Sequence, residues 1–322
     1  MQTLTAPDSK RTTQLVEAAR LYYEHGLSQE RIALKLGVSR PSVSRLLQSA
    51  RDEGIVRIEI VDPLDRGTKI EDQLRETFQL KKAVVVPNDG EPDHIIKQRL
   101  GEAAVILLDQ LIEKGITLGV SWGTTMQAVA SRLQRRTVKD MIVVQLNGGI
   151  SRAEYDTHAS EIAQKMGLNY SAIPYLLPLP AVVDHADVKR AIVSDKNIAR
   201  ALQLSRKADI AMFTVGSFGH DSVLVKADYF EKKEVNTLLK RGAVADICSR
   251  IINHDGELCS SELNDRTIGI ELDELKKKRH AIAVAGGKEK LSAIRAGLKG
   301  QWFNTLITDE WVANELLQGA VE

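Results

Sequence analysis

Leu27-Ser-Gln-Glu-Arg-Ile-Ala-Leu-Lys-Leu-Gly-Val-Ser-Arg-Pro-Ser-Val-Ser-Arg-Leu-Leu-Gln48 contains two short helices and the turn between them. Ser28 can cap a helix by accepting from a free backbone N–H, and Ile32, Ala33 and Leu36 then fall on one buried face. Gly37 supplies the positive φ of a sharp turn, and Val38 plugs it. Ser39 caps the second helix, with Pro41 in its first turn, where a missing N–H costs nothing. Val43, Leu46 and Leu47 share one side of that helix, leaving Arg40, Ser42, Ser44 and Arg45 on the others. The layout is that of a helix-turn-helix whose second helix presents its N-terminal side chains to the major groove.

Charge points the same way. From Arg31 to Arg51 stand five basic residues (Arg31, Lys35, Arg40, Arg45, Arg51) and no acidic one, the footprint expected of phosphate neutralisation. The plain alternative is a three-helix bundle with a solvated basic face. Caps, glycine turn, apolar spacing and basic block coincide, and together they favour a DNA reader. Arg40 and Arg45 are the candidates for reading bases, and Ser42 and Ser44 suit bases or phosphates. Gln29 and Arg31 would set the first helix on the backbone. Gly54-Ile-Val-Arg-Ile-Glu-Ile60 then alternates apolar and charged positions as a half-buried strand does, so the expected module is winged, with Arg57 near the DNA backbone.

Beyond this module (residues 1–60), Val61-Asp-Pro-Leu-Asp-Arg-Gly67 has the punctuation of a linker, placed at 61–70. From 71 to 322 apolar runs alternate with amphipathic stretches. The runs are Ala83–Val86, Ile116–Val120, Met141–Leu146, Ile210–Val215, Ala281–Ala285 and Thr305–Ile307. Helical patterns include His94–Glu113, Thr124–Leu133, Tyr229–Lys240, Lys288–Gly297 and Asp309–Leu317. Short β-rich runs between helices predict an α/β domain with a mostly parallel sheet covered on both faces.

Four glycine corners close predicted strands. Leu118-Gly-Val-Ser-Trp-Gly-Thr-Thr125 runs from a strand into a helix, so Ser121, Trp122, Gly123, Thr124 and Thr125 would surround free N–H groups at a helix start. Leu146-Asn-Gly-Gly149 contributes Asn147, Gly148 and Gly149. Thr214-Val-Gly-Ser217 contributes Gly216. Val284-Ala-Gly-Gly-Lys-Glu-Lys290 contributes Gly286, Gly287 and the cation Lys290. In an open α/β sheet ligands gather at the carboxyl ends of strands, where all four corners should lie. One such corner is usually a plain turn; four together, one bearing lysine, point to a phosphate-containing metabolite. Asp246, within Gly242-Ala-Val-Ala-Asp-Ile-Cys248, suits either sugar hydroxyls or a local hydrogen bond, and Trp122 either a pocket wall or the core.

Other chemistry is thin. Neither a P-loop nor a dinucleotide fingerprint is present, so no nucleotide cofactor is expected. His185 and His220 stand near acids without metal-ligand spacing and read as surface or core residues; no metal is expected. No nucleophile, base and orienting acid can be assembled, although Asp246 as a general base would support an isomerase or deaminase carrying a DNA module. The 322 residues carry a net charge of +1, 43% hydrophobic residues and 27% charged ones, and two cysteines without metal spacing. With a polar start and no long apolar stretch, the expectation is a cytoplasmic protein with reduced thiols and no membrane partner.

These residues resemble the SorC family of sugar-responsive regulators over nearly the whole chain. The N-terminal marks are Ala19-Arg-Leu-Tyr-Tyr-Glu-His-Gly-Leu-Ser-Gln29, Ser39-Arg-Pro-Ser-Val-Ser-Arg-Leu-Leu47 and Glu53-Gly-Ile-Val56. The C-terminal marks are Ser121-Trp-Gly-Thr124, Leu146-Asn-Gly-Gly149, Gly242-Ala-Val-Ala-Asp246 and Val284-Ala-Gly-Gly287. Leu177-Pro-Leu-Pro180, Asp184-His-Ala-Asp-Val-Lys189, Ala211-Met-Phe-Thr-Val-Gly216, Asp246-Ile-Cys-Ser-Arg250 and Cys259-Ser-Ser-Glu-Leu-Asn-Asp-Arg-Thr-Ile-Gly269 are most similar to members governing deoxyribonucleoside use. The resemblance implies a sensor akin to sugar-phosphate isomerases and deaminases, and a dimer or tetramer on operator DNA. It also implies repression of a deoxynucleoside or pentose operon, relieved by deoxyribose 5-phosphate; an activator answering a polyol phosphate is the variant of this reading. Some family members carry a lysine before the paired glycines, able to form an imine with an aldehyde. Asn147 stands there in this chain, so non-covalent binding is expected unless a lysine such as Lys290 substitutes.

Overall fold

The computed structural model describes residues 9–56 and 63–319, and the chain divides into two compact units, Met1–Asp62 and Pro63–Glu322. In the first, α1 (Ser9–Tyr23), α2 (Gln29–Leu36) and α3 (Arg40–Asp52) enclose a small core of Ala18, Leu21, Ile32, Ala33, Val43 and Leu47. Leu15, Ala19 and Ala50 form a second cluster beneath Ile55 and Val56. The caps fall where expected: Ser28 accepts from the Arg31 N–H and Ser39 from the Ser42 N–H. Gly37 takes the left-handed conformation at φ 66°. The expected wing strand cannot be placed: residues 57–62, including Arg57, lie outside the described residues, and Gly54–Val56 form a turn and bend.

The expected linker at 61–70 is corrected. From Pro63 the chain is helical, α4 spanning Pro63–Phe78. Proline in a first turn loses no hydrogen bond, so here it opens the helix rather than marking a loop. The larger unit therefore begins at Pro63.

That unit is built on a sheet of seven parallel strands. In chain order the ten strands among its described residues are β1 (Lys82–Val86), β2 (Thr117–Val120), β3 (Ile142–Gln145), β4 (Ile173–Tyr175), β5 (Ile210–Phe213), β6 (Val215–Ser217), β7 (Ala243–Ile247), β8 (Arg250–Asn253), β9 (His280–Val284) and β10 (Thr305–Asp309). The large sheet runs β1-β10-β9-β5-β2-β3-β4; β6-β7-β8 form a small antiparallel sheet. Strand alternation separates two cores. Ile210, Met212, Ile282 and Val284 face one side, packed with α5 (Asp93–Leu111) and α6 (Thr124–Ala130). Ala211, Phe213, Ala281 and Ala283 face the other, with Leu74 of α4 and the helices Leu291–Lys299 and Glu310–Gln318. Both faces being covered, the strands read as continuous apolar runs.

The strand order creates one switch point. After β2 the chain winds outward through β3 and β4, then returns to β5 on the other side of β2 and continues to β9 and β10. The loops leaving β2 and β5 therefore diverge, opening a crevice at their carboxyl ends, where open α/β sheets hold ligands. At Thr214 the chain also passes from the large sheet directly into the small one.

Candidate functional site

On the N-terminal unit, Arg40, Pro41, Ser44 and Arg45 are exposed at the start of α3, with Ser42 half-buried. Ser42 Oγ lies 2.8 Å from Ser39 Oγ, so it is tied to the cap. Arg31 is exposed and Gln29 half-buried on α2. The cations are not equivalent. Glu30, one residue before the acid-free block, pairs with Arg40 (Nε–Oε1 3.0 Å, both exposed). Of the two arginines in the first turns of α3, Arg45 is thus the one without an ion-pair partner among the described residues.

On the larger unit a cavity of about 360 Å³ occupies the crevice at the switch point. Nine of the thirteen expected effector residues line it: Ser121, Trp122, Gly123, Thr124 and Thr125 after β2, Asn147 after β3, Gly216 on β6, Asp246 on β7, and Lys290 after β9. Gly123 takes φ 113° at the start of α6, a conformation that side chains rarely adopt. Lys290 Nζ donates to Thr214 Oγ1 (3.0 Å) and Thr125 Oγ1 (3.4 Å), which fixes a cation between the loops leaving β2 and β5. Burial, reinforced by the Lys97 charge and opposed by Asp246 and Asp93, lowers its pKa to about 8. Asp246 is pushed up to about 6 by burial, against the Ser249 N–H that its Oδ1 accepts (3.2 Å) and against Lys290. Its carboxylate fills the space where a Cβ on Gly216 would stand, so the glycine is there to admit the acid.

The other four glycines do not line the cavity. Gly148 and Gly149 pack beneath it: a Cβ on the first would collide with the carbonyls of Leu179 and Pro180, and on the second with Ala159 and the Trp122 ring. Trp122 Nε1 donates to the Gly148 carbonyl (2.7 Å), so Trp122 is both wall and buried core. Gly286 and Gly287 abut Asp309, whose Oδ2 accepts the Gly287 N–H at 2.6 Å. These glycines brace the loops that carry the lining residues.

Several lining residues were not expected from sequence. Lys97 comes from α5, Glu289 precedes Lys290, and Phe218–Leu224 forms one rim, so that His220 and Asp221 lie on it. Cys248 and Ser249 form the tight turn between β7 and β8, both left-handed at φ 50° and 68°. Burial, with the Asp246 charge, raises the Cys248 thiol far above its ordinary value and keeps it protonated. Asn147 Nδ2 donates to Ser249 Oγ (2.8 Å), joining the β3 corner to that turn.

A helix-turn-helix unit joined in one chain to a sheet-end cavity holding a partly buried cation defines a ligand-responsive transcription regulator. Residues 62–318 match the family described as "Putative sugar-binding domain". The deoxyribonucleoside regulator of Bacillus subtilis is 42% identical over 94% of this chain and 96% of its own length. The sorbitol operon regulator of Klebsiella pneumoniae is 30% identical over 94% of this chain and 97% of its length. A crystal structure of full-length SorC from that organism superposes with a TM-score of 0.75 at 29% identity, covering 96% of this chain and all of that one. The chain belongs to the SorC family: it is a sugar-binding transcriptional regulator, not an enzyme. Among the described residues no helix is long and apolar enough to cross a membrane.

Proposed function

We propose that this regulator represses a deoxyribonucleoside or pentose catabolic operon and leaves its operator when a sugar phosphate, 2-deoxyribose 5-phosphate first among them, enters the cavity. The carrying observation is Lys290, a partly buried cation held between Thr125 and Thr214 where the strand order reverses. A phosphate there gains a fixed charge and hydroxyl donors. The 42% identity to a deoxyribonucleoside regulator supports the choice of sugar. Residues 1 to about 60 read DNA, with Arg45 foremost, and the rest senses the effector and joins copies into a dimer or tetramer in the cytoplasm. The effector acts by preferring one arrangement of that oligomer, which changes the spacing of the readers. Binding is non-covalent: Asn147 has no amine to offer an aldehyde, and Lys290 holds the phosphate instead of substituting as the imine-forming lysine.

Titration of a fluorescent operator duplex, with and without 2-deoxyribose 5-phosphate, tests the reading: affinity should fall with the sugar present. Unchanged operator affinity with every member of a pentose, hexose and polyol phosphate panel would overturn it. Borohydride added to the complex should leave no mass adduct; an adduct on Lys290 would show an imine. The sorbitol regulator's similarity supports a polyol phosphate as the second reading, and the same panel separates the two.

A further inference from the structure

Buried polar atoms in folded proteins are nearly always hydrogen-bonded, and one left unpaired destabilises the fold unless something binds it. Six buried side-chain polar atoms lack a partner among the described residues. Tyr170, Ser205, Arg266 and Thr308 supply four, and none of these residues lines the cavity. Asn147 Oδ1 and Ser222 Oγ are the other two, and both residues do.

Each is unpaired for an identifiable reason. Asn147 is 2% exposed; its amide nitrogen is committed to Ser249 Oγ at 2.8 Å, which leaves the carbonyl oxygen empty-handed. Ser222 stands at the cap position of the short helix Val223–Lys226, where a serine hydroxyl ordinarily accepts from a backbone N–H. Its hydroxyl makes no cap bond. An amide oxygen only accepts, so a phosphate oxygen cannot satisfy Asn147; a hydroxyl can. Asp246, on the same wall, is a second acceptor. The cavity thus offers a cation for a phosphate and acceptors for hydroxyl groups.

We infer that Asn147 and Ser222 read the hydroxyl groups of the effector: Asn147 Oδ1 accepts from one, and Ser222 Oγ bonds a second, while the phosphate stays with Lys290. The inference rests on the sugar-phosphate reading above and adds what selects among sugar phosphates. Ser222 lies in the rim Phe218–Leu224, which makes that rim a specificity element.

The test is a double-mutant cycle between protein and ligand, measured by calorimetry on the full chain. The probes are 2-deoxyribose 5-phosphate and its analogues lacking the C1 or the C3 hydroxyl; the variants are N147L and S222A. Losing the matching hydroxyl should weaken wild-type binding roughly 10- to 100-fold, and the matching variant should show no such preference. S222A should also leave the melting temperature of the ligand-free chain level or raised, because it deletes an unpaired group; a purely structural serine would lower it. If N147L does not fold, the S222A cycle decides alone. Should the variants keep the wild-type preference for the full set of hydroxyls, the inference fails while the sugar-phosphate reading stands. Should no sugar phosphate bind at all, both fall.

Discussion

Lys290 ties the electrostatics of the cavity to a measurable pH dependence. Empty, it loses its proton near pH 8; a bound phosphate favours the charged form and so draws a proton back. Affinity for a sugar phosphate should be level between the phosphate's own second ionisation near 6 and pH 8. Above that it should fall, by about tenfold per unit at the limit of full linkage. K290M should bind more weakly and lose the decline above pH 8, which calorimetry at several pH values would read. Asp246 bears on stability: its folded pKa stands above the unfolded one, so the fold carries no penalty from it below about pH 4, a growing one as pH rises to about 6, and a level one above that. Gly216 bears on the same acid. In G216A the new methyl would overlap the Asp246 carboxylate. We expect a loss of about 1–3 kcal/mol in chemical denaturation, together with weakened ligand binding.

At the scale of elements, α3 reads as its sequence predicts, because each of its signals is local: a serine cap, a proline in the first turn and apolar spacing. Removing the cap in S39A should cost about 1 kcal/mol, seen as a lower midpoint of thermal unfolding. R45A should lower operator affinity and, if it meets a phosphate, reduce the slope of log affinity against log salt by about 1. Glu30 occupies Arg40, so E30Q should raise operator affinity at low salt, the reverse of R45A. Six strands of the large sheet were equally legible, since strands covered on both faces are apolar along their whole length; the edge strand β4, Ile173–Tyr175, is largely exposed and was missed. The small sheet was not. The run Ile210–Val215 looks like one strand but breaks at Thr214, where the chain changes sheets. The β7–β8 turn uses Cys248 and Ser249 in left-handed conformations without the asparagine or glycine that normally announces such a turn. Asp246 was therefore visible as an acid among apolar residues, while its neighbours in the hairpin stayed hidden.

For the whole molecule, the boundary was misread because Pro63 and Gly67 carry loop signals that α4 overrides; tertiary packing decides such cases, not propensity. Every residue lining the cavity comes from the unit beginning at Pro63. A fragment starting there should bind 2-deoxyribose 5-phosphate as the full chain does and ignore operator DNA, which calorimetry and anisotropy would check together. The rim residues were invisible to sequence reading for a related reason: Lys97 and Phe218–Leu224 reach the cavity through the path of the chain, not through any motif of their own. The glycines packed beneath the cavity have a practical corollary. With no space for even a methyl at Gly148 or Gly149, anyone wishing to re-aim this sensor at another metabolite gains nothing by randomising those two positions. Libraries should be spent on 218–224, where substitutions can reshape the binding chamber without cracking its foundation.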